Sequence, residues 1–270
     1  MKKILYILIL SVLCGCEVID EADQLIPVPM PRSGQRTHVL LEYTGFRCVN
    51  CPDATETANN LKALYGEQLV VVALHPATNP FTQGKYDYTC PEADQCYLFM
   101  GGTAATPFPT GNINIAKTDK GYFSDRSEWP TLLAQTAQDT VAPYLNATAV
   151  IDTTTRQVDI GLDYTMPLEA RIAVWLVEDS VMGVQAMPDG SVNMSYAHRH
   201  MLRTTAFDSP WGTPVSGTPM QTSFILPDKC RVEHCYTVAL LLDLNDYHIL
   251  QAYETKLLIG SSDAAVRKQR

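Results

Sequence analysis

The strongest constraint on the fold is a pair of cysteines placed between a short strand and a helix. Residues 38–43 form an apolar run of strand length, and Cys48 and Cys51 follow with two residues between them. Apolar residues then recur at helical spacing over 54–65, and residues 68–74 form a second, continuously apolar strand. A strand, a helix and a strand in so short a stretch predict two parallel strands joined by a right-handed crossover.

This arrangement indicates redox chemistry for the two cysteines. Cys48 lies at the start of the predicted helix, where free N–H groups and the helix dipole stabilise a thiolate. Cys51 follows one turn later, close enough to form a disulfide with Cys48. A Cys-x-x-Cys pair beside a strand–helix–strand unit is typical of the thioredoxin class. Half of a zinc site has the same spacing, but the chain has no second Cys-x-x-Cys pair, which disfavours zinc.

The resemblance to thioredoxins implies a proline opposite the dithiol. In that fold a cis-proline opens the strand facing the two cysteines, commonly with a threonine after it, and Pro109-Thr110 is similar. We expect the cis bond at Phe108–Pro109, with Thr110 bordering the site. Pro107 is an alternative position for the cis bond, and the two prolines can also both be trans turn residues.

Three further residues are candidates for the same site. Thioredoxins place a buried acid six residues before the first cysteine, which implies that Glu42 accepts a proton from Cys51; alternatively, Glu42 hydrogen-bonds the backbone near the strand end. Arg47 directly precedes Cys48, and its charge favours the thiolate. His75 follows the second strand at the carboxyl edge of the sheet, where open α/β sheets hold ligands, although a plain loop role is favoured.

The amino terminus predicts export and a lipid anchor. Residues 1–15 combine two lysines with a ten-residue apolar run, which is typical of a signal peptide and too short to span a bilayer. Leu13-Cys-Gly-Cys16 resembles the bacterial lipobox, so we expect Cys16 to be the lipidated first residue; an ordinary signal peptide is the alternative. Residues 16–37, acidic and rich in proline, are expected to be a tether, although residues 25–28 can also pack against the body.

In an exported chain the other cysteines are interpreted as disulfides first. Cys90 and Cys96 are predicted to close a small structural loop before a short helix at about 97–100, with a second redox pair as the alternative. Cys230 and Cys235 flank a turn between two strands and are predicted to form a structural disulfide across it.

The second half of the chain has the pattern of an all-β domain. Residues 148–152 and 157–164 alternate around a turn, which predicts a hairpin. Further strands are predicted at 171–178, 220–226, 236–243 and 248–258. We therefore expect an α/β thioredoxin-like domain over 38–145, with an insert at 76–104, then an all-β sandwich (Ig-like or jelly-roll-like) over 146–260 and a polar tail over 261–270.

Two histidines in this half stand on either side of an arginine. His198 and His200 would share one face of a strand, an arrangement that can bind a metal. No carboxylate or third histidine accompanies them at ligand spacing, so packing or contact with the first domain is favoured, and no metal site is predicted.

Taken together, the motifs resemble the Bacteroidetes outer-membrane lipoproteins of the Omp-twenty-eight type. The resemblance depends on residues 42–52, Pro109-Thr-Gly111, residues 198–203 and Trp211-Gly212, and it extends over about 38–258. It implies a thioredoxin-like domain followed by a β domain, and attachment to the outer membrane. The molecular function of that family is itself poorly defined, so the chemistry must be argued from the site.

Two functions are compatible with the sequence. The first is a thiol–disulfide oxidoreductase, in which Cys48 attacks a substrate disulfide and Cys51 resolves the mixed disulfide. The second is a scaffold that keeps a permanent Cys48–Cys51 disulfide and binds a protein partner. Neither requires a cofactor. A formal net charge of −9 disfavours nucleic acid as a partner, which leaves the membrane, through the lipid anchor, and a protein or disulfide-containing substrate.

Overall fold

The computed structural model describes residues 35–260, apart from 138–141, 166–168, 216 and 218. The predicted signal peptide, the lipidated Cys16, residues 16–34 of the tether and the tail at 261–270 lie outside the described residues. None of the helices in the described part has the length and apolar character needed to cross a membrane.

Three helices and fourteen strands make up the described part of the chain. The helices are α1 (Cys51–Tyr65), α2 (Pro91–Phe99) and α3 (Trp129–Thr136). The strands are β1 (His38–Tyr43), β2 (Leu69–Leu74), β3 (Thr110–Ile113), β4 (Leu145–Ile151), β5 (Gln157–Tyr164), β6 (Ala170–Glu178), β7 (Val181–Ala186), β8 (Val192–His198), β9 (Met201–Thr205), β10 (Thr213–Pro214), β11 (Met220–Ile225), β12 (Cys235–Asp243), β13 (Ile249–Lys256) and β14 (Leu258–Ile259).

The first strands and helix confirm the predicted strand–helix–strand unit. β1 and β2 pair in parallel from His38–Leu69 to Tyr43–Leu74, and β3 pairs antiparallel with β1. Helix α1 has a proline in its first turn, where no N–H partner is needed, and it ends at Gly66 with a φ of 58°. Its buried face packs on one side of these strands and is formed by Ala54, Ala58 and Leu61.

One mixed sheet contains strands from both halves of the chain. Its order is β13-β12-β6-β9-β2-β1-β3, with β10 also paired to β6. The junction is between β2 and β9, where Ala73 pairs with Met201 and its N–H donates to the carbonyl of His200 at 2.7 Å. Strands from the two sides of residue 145 thus share one sheet. The division of the chain into two domains at that residue remains a prediction.

A second sheet, ordered β11-β5-β4-β14, packs against the part of the mixed sheet that contains β6 and β12. The predicted β4–β5 hairpin is confirmed, with Ile151 opposite Val158. Inward residues alternate with exposed ones along both strands, as expected for a sheet with one solvated face. The fold is thus a mixed α/β sheet with parallel strands and additional β-sheets.

Two helices differ from their predicted bounds. Ser127 as a capping residue and Pro143 as a terminator predict a helix from Ser127 to about Val141. Helix α3 begins at Trp129, after Glu128 in the capping position, and ends at Thr136. The region around Cys90 and Cys96 was predicted to be a loop, yet α2 starts immediately after Cys90, with Pro91 in its first turn. Proline is as compatible with the first turn of a helix as with a loop, so Pro91 alone does not indicate where α2 begins.

Candidate functional site

The two cysteines of the Cys-x-x-Cys pair form a disulfide at the amino end of α1. Their Cα atoms are 5.4 Å apart. The chain leaves β1 through a turn in which the Cys48 N–H donates to the Gly45 carbonyl and the Cys51 N–H donates to the Cys48 carbonyl. Cys51 is the first residue of α1, so Cys48 lies in the turn before the helix. Both residues are buried, with exposed fractions of 2% and 1%.

Pro109 lies at the edge of the sheet from which this turn emerges. The Phe108–Pro109 peptide bond is cis, at the position predicted from the sequence. The next residue, Thr110, begins β3 opposite Tyr43, the last residue of β1. Its hydroxyl donates to the Ser124 carbonyl at 3.1 Å, so Thr110 ties β3 to the segment before α3.

Glu42 is a fully buried acid on β1 with a helix hydroxyl as its partner. Its Oε1 accepts a hydrogen bond of 2.7 Å from the hydroxyl of Thr55. Thr55 lies four residues after Cys51 on α1, so the two share a face of the helix. Burial raises the pKa of Glu42 from 4.5 to about 7, and the hydrogen bond from Thr55 opposes part of that rise. This carboxyl is therefore close to half-ionised at neutral pH.

A hairpin from the second half of the chain, β7–β8, lies over the disulfide. The Gln185 side chain donates to the Cys48 carbonyl at 2.9 Å and to the Gly45 carbonyl at 3.4 Å. The Ala186 N–H donates to the Phe46 carbonyl at 2.8 Å. The β7–β8 register shifts between Gly183 and Gln185, and an irregularity of this kind re-aims side chains. The hairpin thus accounts for part of the burial of the dithiol.

The same hairpin reaches Glu42 through Tyr196. Tyr196 lies close to Thr55 and Glu42, and burial raises the pKa of Tyr196. Glu42, Thr55 and Tyr196 therefore form one cluster of polar side chains. The helical spacing between Cys51 and Thr55 could have indicated Thr55 as a site residue. No signal in the sequence indicates that Tyr196 or Gln185 contacts residues more than 130 positions away.

His75 is buried at the end of β2, in contact with another buried histidine. The His75 ring is 5.8 Å from that of His198 and 6.0 Å from that of Tyr88, measured between centroids. Neither ring nitrogen of His75 has a hydrogen-bond partner among the described residues, and burial holds its pKa well below the usual range. The loop position is as predicted, but the residue is buried.

The predicted shared face of His198 and His200 is not observed. His198 is the last residue of β8 and its ring Nε2 is 3.2 Å from the Val184 carbonyl, within the hairpin. His200 lies in the turn before β9 with a φ of 55°, and its Nδ1 is 2.9 Å from the hydroxyl of Tyr236. The tight turn separates the two rings. Among the described residues, no group of three or more His, Cys, Asp or Glu is placed to hold a metal ion.

Arg47 is exposed, and its guanidinium is 3.4 Å from the Gln83 carbonyl. Its backbone N–H donates to the carbonyl of Phe81. The loop that contains Phe81 and Gln83 therefore borders the dithiol turn. An effect of Arg47 on the Cys48 thiolate remains a prediction.

The other four cysteines are free, buried thiols, and the predicted Cys90–Cys96 disulfide is not formed. Cys90 is the residue before α2 and Cys96 lies six residues further along that helix. A helical rise of about 1.5 Å per residue separates their Cα atoms by about 9 Å, too far for a disulfide. Cys230 and Cys235 are close enough for each thiol to shift the pKa of the other, and a structural disulfide between them remains a prediction.

Comparisons with solved structures match the fold at low sequence identity. HBP35 of Porphyromonas gingivalis matches with a TM-score of 0.64 and 14% identity over 86% of this chain and 79% of that one. A structural-genomics target protein from Agrobacterium tumefaciens matches with a TM-score of 0.51 and 13% identity, over 83% and 96%. At these identities the likeness extends to the fold alone.

A domain of the outer membrane lipoprotein Omp28 from Porphyromonas gingivalis also matches, at a TM-score of 0.32 and 16% identity, over 44% of this chain and 91% of that one. That score is too low to support a conclusion about the present chain. Neither a protein-family model nor a curated protein matches the sequence.

Proposed function

We propose that this chain is a thioredoxin-like, outer-membrane-anchored lipoprotein that catalyses thiol–disulfide exchange at Cys48 and Cys51. A disulfide at the amino end of α1, with Pro109 at the same sheet edge, supports the active-site assignment. The predicted lipobox at Cys16 supports the anchor. Its substrate is a disulfide-containing protein outside the cytosol, where cysteines are oxidised.

The exchange proceeds in two steps. In the reduced protein the Cys48 thiolate attacks one sulfur of the substrate disulfide; that bond breaks, and the departing sulfur leaves as a thiolate that takes up a proton. Cys51 then loses its proton to Glu42 and attacks Cys48 in the mixed disulfide. The second substrate thiol is released, and Cys48–Cys51 becomes the disulfide. Two electrons pass from the protein to the substrate.

The observation that carries this proposal is the buried carboxyl of Glu42. A carboxyl held in the core by one hydroxyl costs stability, and a purely structural disulfide has no use for it. Its pKa of about 7 suits a group that accepts and returns a proton at neutral pH.

A second function is favoured by the burial of the dithiol. With exposed fractions of 2% and 1%, Cys48 and Cys51 are shielded beneath the β7–β8 hairpin, as a permanent structural disulfide would be. In that case the protein is a scaffold that binds a protein partner at the membrane.

Thiol trapping in redox buffers of known potential separates the two functions. We expect the Cys48–Cys51 couple to titrate in the range of working oxidoreductases, roughly −270 to −120 mV. A potential below about −300 mV would mark a structural bond and favour the scaffold. Mass spectrometry of the peptide containing residues 48–51 keeps the signal distinct from the four other thiols.

An insulin-reduction assay with a thiol reductant tests turnover directly. The variant with Cys48→Ser and Cys51→Ser should fold and lose this activity, whereas Cys96→Ser, a buried thiol in α2, serves as the matched control and should retain it. Equal activity in both variants would contradict the oxidoreductase proposal.

A further inference from the structure

Exposed apolar side chains are grouped around the buried dithiol. Val49, between the two cysteines, and Phe81, in the loop that borders the dithiol turn, are both exposed. Val192 and Met194, on the β7–β8 hairpin, are 58% and 63% exposed. We call these four residues the apolar collar. Exposed apolar residues that are grouped, unlike those scattered singly over a surface, mark an interaction site.

Val192 and Met194 belong to the face of β8 that packs on the rest of the protein. Side chains alternate along a strand, so these two share a face with Tyr196 and His198. Tyr196 is half-buried and His198 is buried. Toward the turn of the hairpin the same face continues beyond the residues that cover it, and its side chains become exposed. The exposed end of this face is apolar.

Backbone contacts place that end of β8 one strand away from the dithiol turn. Val192 pairs with Ala186 of β7, whose N–H donates to the Phe46 carbonyl at 2.8 Å, two residues before Cys48. Paired strands are about 5 Å apart, so β8 lies about that distance beyond the strand that contacts the turn. A polypeptide that brings a disulfide to Cys48 therefore lies within reach of the collar.

The loop at 76–84 supplies the second part of the collar. The Phe81 carbonyl accepts the Arg47 N–H at 3.0 Å, which fixes the loop to the dithiol turn. The Phe81 ring stacks on that of Phe108, with 6.1 Å between centroids and 24° between planes. Phe108 directly precedes Pro109. The collar thus combines the turn itself with two segments that are hydrogen-bonded to it.

The three segments that form the collar carry little charge. Residues 44–51, 76–84 and 181–198 contain two charged side chains, Arg47 and Asp189, among 35 residues, whereas 18% of the whole chain is charged. The chain has a net charge of −9, so the collar is a neutral, apolar region of an acidic protein. A partner that binds there gains affinity from apolar contact and little from charge.

We propose that the collar docks apolar, extended segments of incompletely folded polypeptides and thereby directs their disulfides to Cys48. The directing role rests on the oxidoreductase function proposed above, whereas docking itself requires no exchange. Folded proteins bury most of their large apolar side chains, so a surface that binds such side chains beside the dithiol selects chains that have not completed folding. Met194 suits this role, because a flexible thioether adapts to apolar groups of different shapes.

Fluorescence anisotropy with two labelled peptides tests docking without redox chemistry. The peptides have equal length, no cysteine and no net charge; one carries leucine and phenylalanine where the other carries serine and glutamine. The protein is the whole chain without the predicted signal peptide, with Cys16→Ser in place of the lipidated residue and an oxidised dithiol. We expect the apolar peptide to bind about tenfold more tightly than the polar one. Equal affinities would overturn the proposal.

Met194→Gln replaces the most exposed side chain of the collar by a polar one of similar length. It should weaken binding of the apolar peptide about tenfold. Leu64→Gln, at a leucine of α1 that is 76% exposed and outside the collar, is the matched control and should bind like the parent chain. Circular dichroism checks that both variants are folded. Equal loss of affinity in the two variants would contradict docking at the collar.

Sedimentation of the same proteins tests two other occupants of the surface. We expect a monomer that does not bind phosphatidylcholine vesicles. A dimer, or vesicle binding, that is lost in Met194→Gln would assign the collar to a second copy of the chain or to the bilayer, and would overturn the proposal.

The same two peptide sequences, each with one internal disulfide, connect docking to exchange. In the two steps described above, the Cys48–Cys51 bond forms and the peptide is released as a dithiol. The reduced protein should be oxidised about tenfold faster by the apolar peptide, and Met194→Gln should remove this difference. Equal rates in the parent protein would overturn the directing role. Selective binding without any oxidation would contradict the oxidoreductase function and still support docking at the collar.

Discussion

Glu42 shows how one residue's chemistry follows from its position in the sheet. The β1–β3 register sets it opposite Gly111, in the interior beneath α1, where water cannot solvate its charge. The hydroxyl of Thr55 supplies one hydrogen bond, which is less than an ionised carboxylate requires. The result is an acid whose proton is retained up to neutral pH.

This shift predicts the pH dependence of stability. Because the pKa of Glu42 is raised from 4.5 to about 7, the folded state holds a proton that the unfolded state releases. Proton binding at Glu42 therefore adds about 3 kcal/mol to the free energy of unfolding below pH 4.5, and this stabilisation is lost as the pH rises through 7. Glu42→Gln should therefore stabilise the protein at pH 8 relative to the parent chain, with little difference at pH 4.5.

Urea unfolding at several pH values measures this difference. Glu56→Gln, which alters an exposed acid on α1, next to Thr55, is the matched control and should leave the pH profile of the free energy of unfolding unchanged. Parallel profiles for Glu42→Gln and the parent chain would contradict a raised pKa at Glu42.

The lowered pKa of His75 predicts the opposite pH dependence of the free energy of unfolding. Burial lowers its pKa, so its contribution to stability is present above pH 6.5 and is lost as the pH falls. Both ring nitrogens lack partners among the described residues, so replacing the ring with an apolar one removes a desolvation cost. His75→Phe should raise the free energy of unfolding by about 1 kcal/mol at pH 8 and by more at pH 5.

Thermal or urea unfolding at the two pH values checks this expectation. His234→Phe, at a partly exposed histidine of the 3-10 helix, is the control for the loss of one imidazole. A destabilised His75→Phe protein would indicate that the imidazole makes a required polar contact.

At the scale of elements, the β7–β8 hairpin decides whether the dithiol is accessible. The hairpin packs tightly against Tyr88: a Cβ atom added at Gly183 would lie 1.8 Å from the Tyr88 hydroxyl. That hydroxyl also accepts the Val184 N–H at 3.0 Å. Tyr88 and the contacts of Gln185 therefore hold the hairpin against the turn that carries Cys48.

Removing the Gln185 contacts should expose the disulfide. Gln185→Ala deletes two hydrogen bonds to the dithiol turn, each worth about 1 kcal/mol, and we expect dithiothreitol to reduce Cys48–Cys51 about tenfold faster. Ser195→Ala, on the exposed part of β8, is the matched control. If Gln185→Ala is reduced at the parent rate, the hairpin does not limit access.

The elements also show what local sequence signals can and cannot predict. The periodicity of 38–74 was sufficient for β1, α1 and β2, and the alternation of 148–164 for β4 and β5, because each pattern is complete within its own segment. Helix α2 begins earlier than the predicted helix at about 97–100, because Pro91 fits a loop as well as a first turn. The packing of the β7–β8 hairpin over the dithiol could not be predicted, because Gln185 contacts Cys48 across 137 positions. The contact also depends on a register shift that has no signal in the sequence.

At the scale of the whole molecule, the core is shared between the two halves of the chain. The largest cluster of buried residues joins Val39, Leu41 and the two cysteines of the dithiol to Trp175, Val238 and other residues of β6 and β12. Residues from both sides of position 145 contribute to this cluster. The domain boundary at residue 145 remains a prediction, and a core drawn from both sides favours folding as one unit.

A shared core predicts that the two halves unfold together. Trp129 lies in the buried cluster of α1 and α3, whereas Trp175 lies on β6 in the core common to both halves. Two single-tryptophan proteins, one with Trp175→Phe and Trp211→Phe and the other with Trp129→Phe and Trp211→Phe, report these two clusters separately. Each should show the same urea midpoint by fluorescence and by far-ultraviolet circular dichroism. A fluorescence midpoint that departs from the circular-dichroism midpoint of the same protein would mean that residues 38–145 and 146–260 unfold as independent domains.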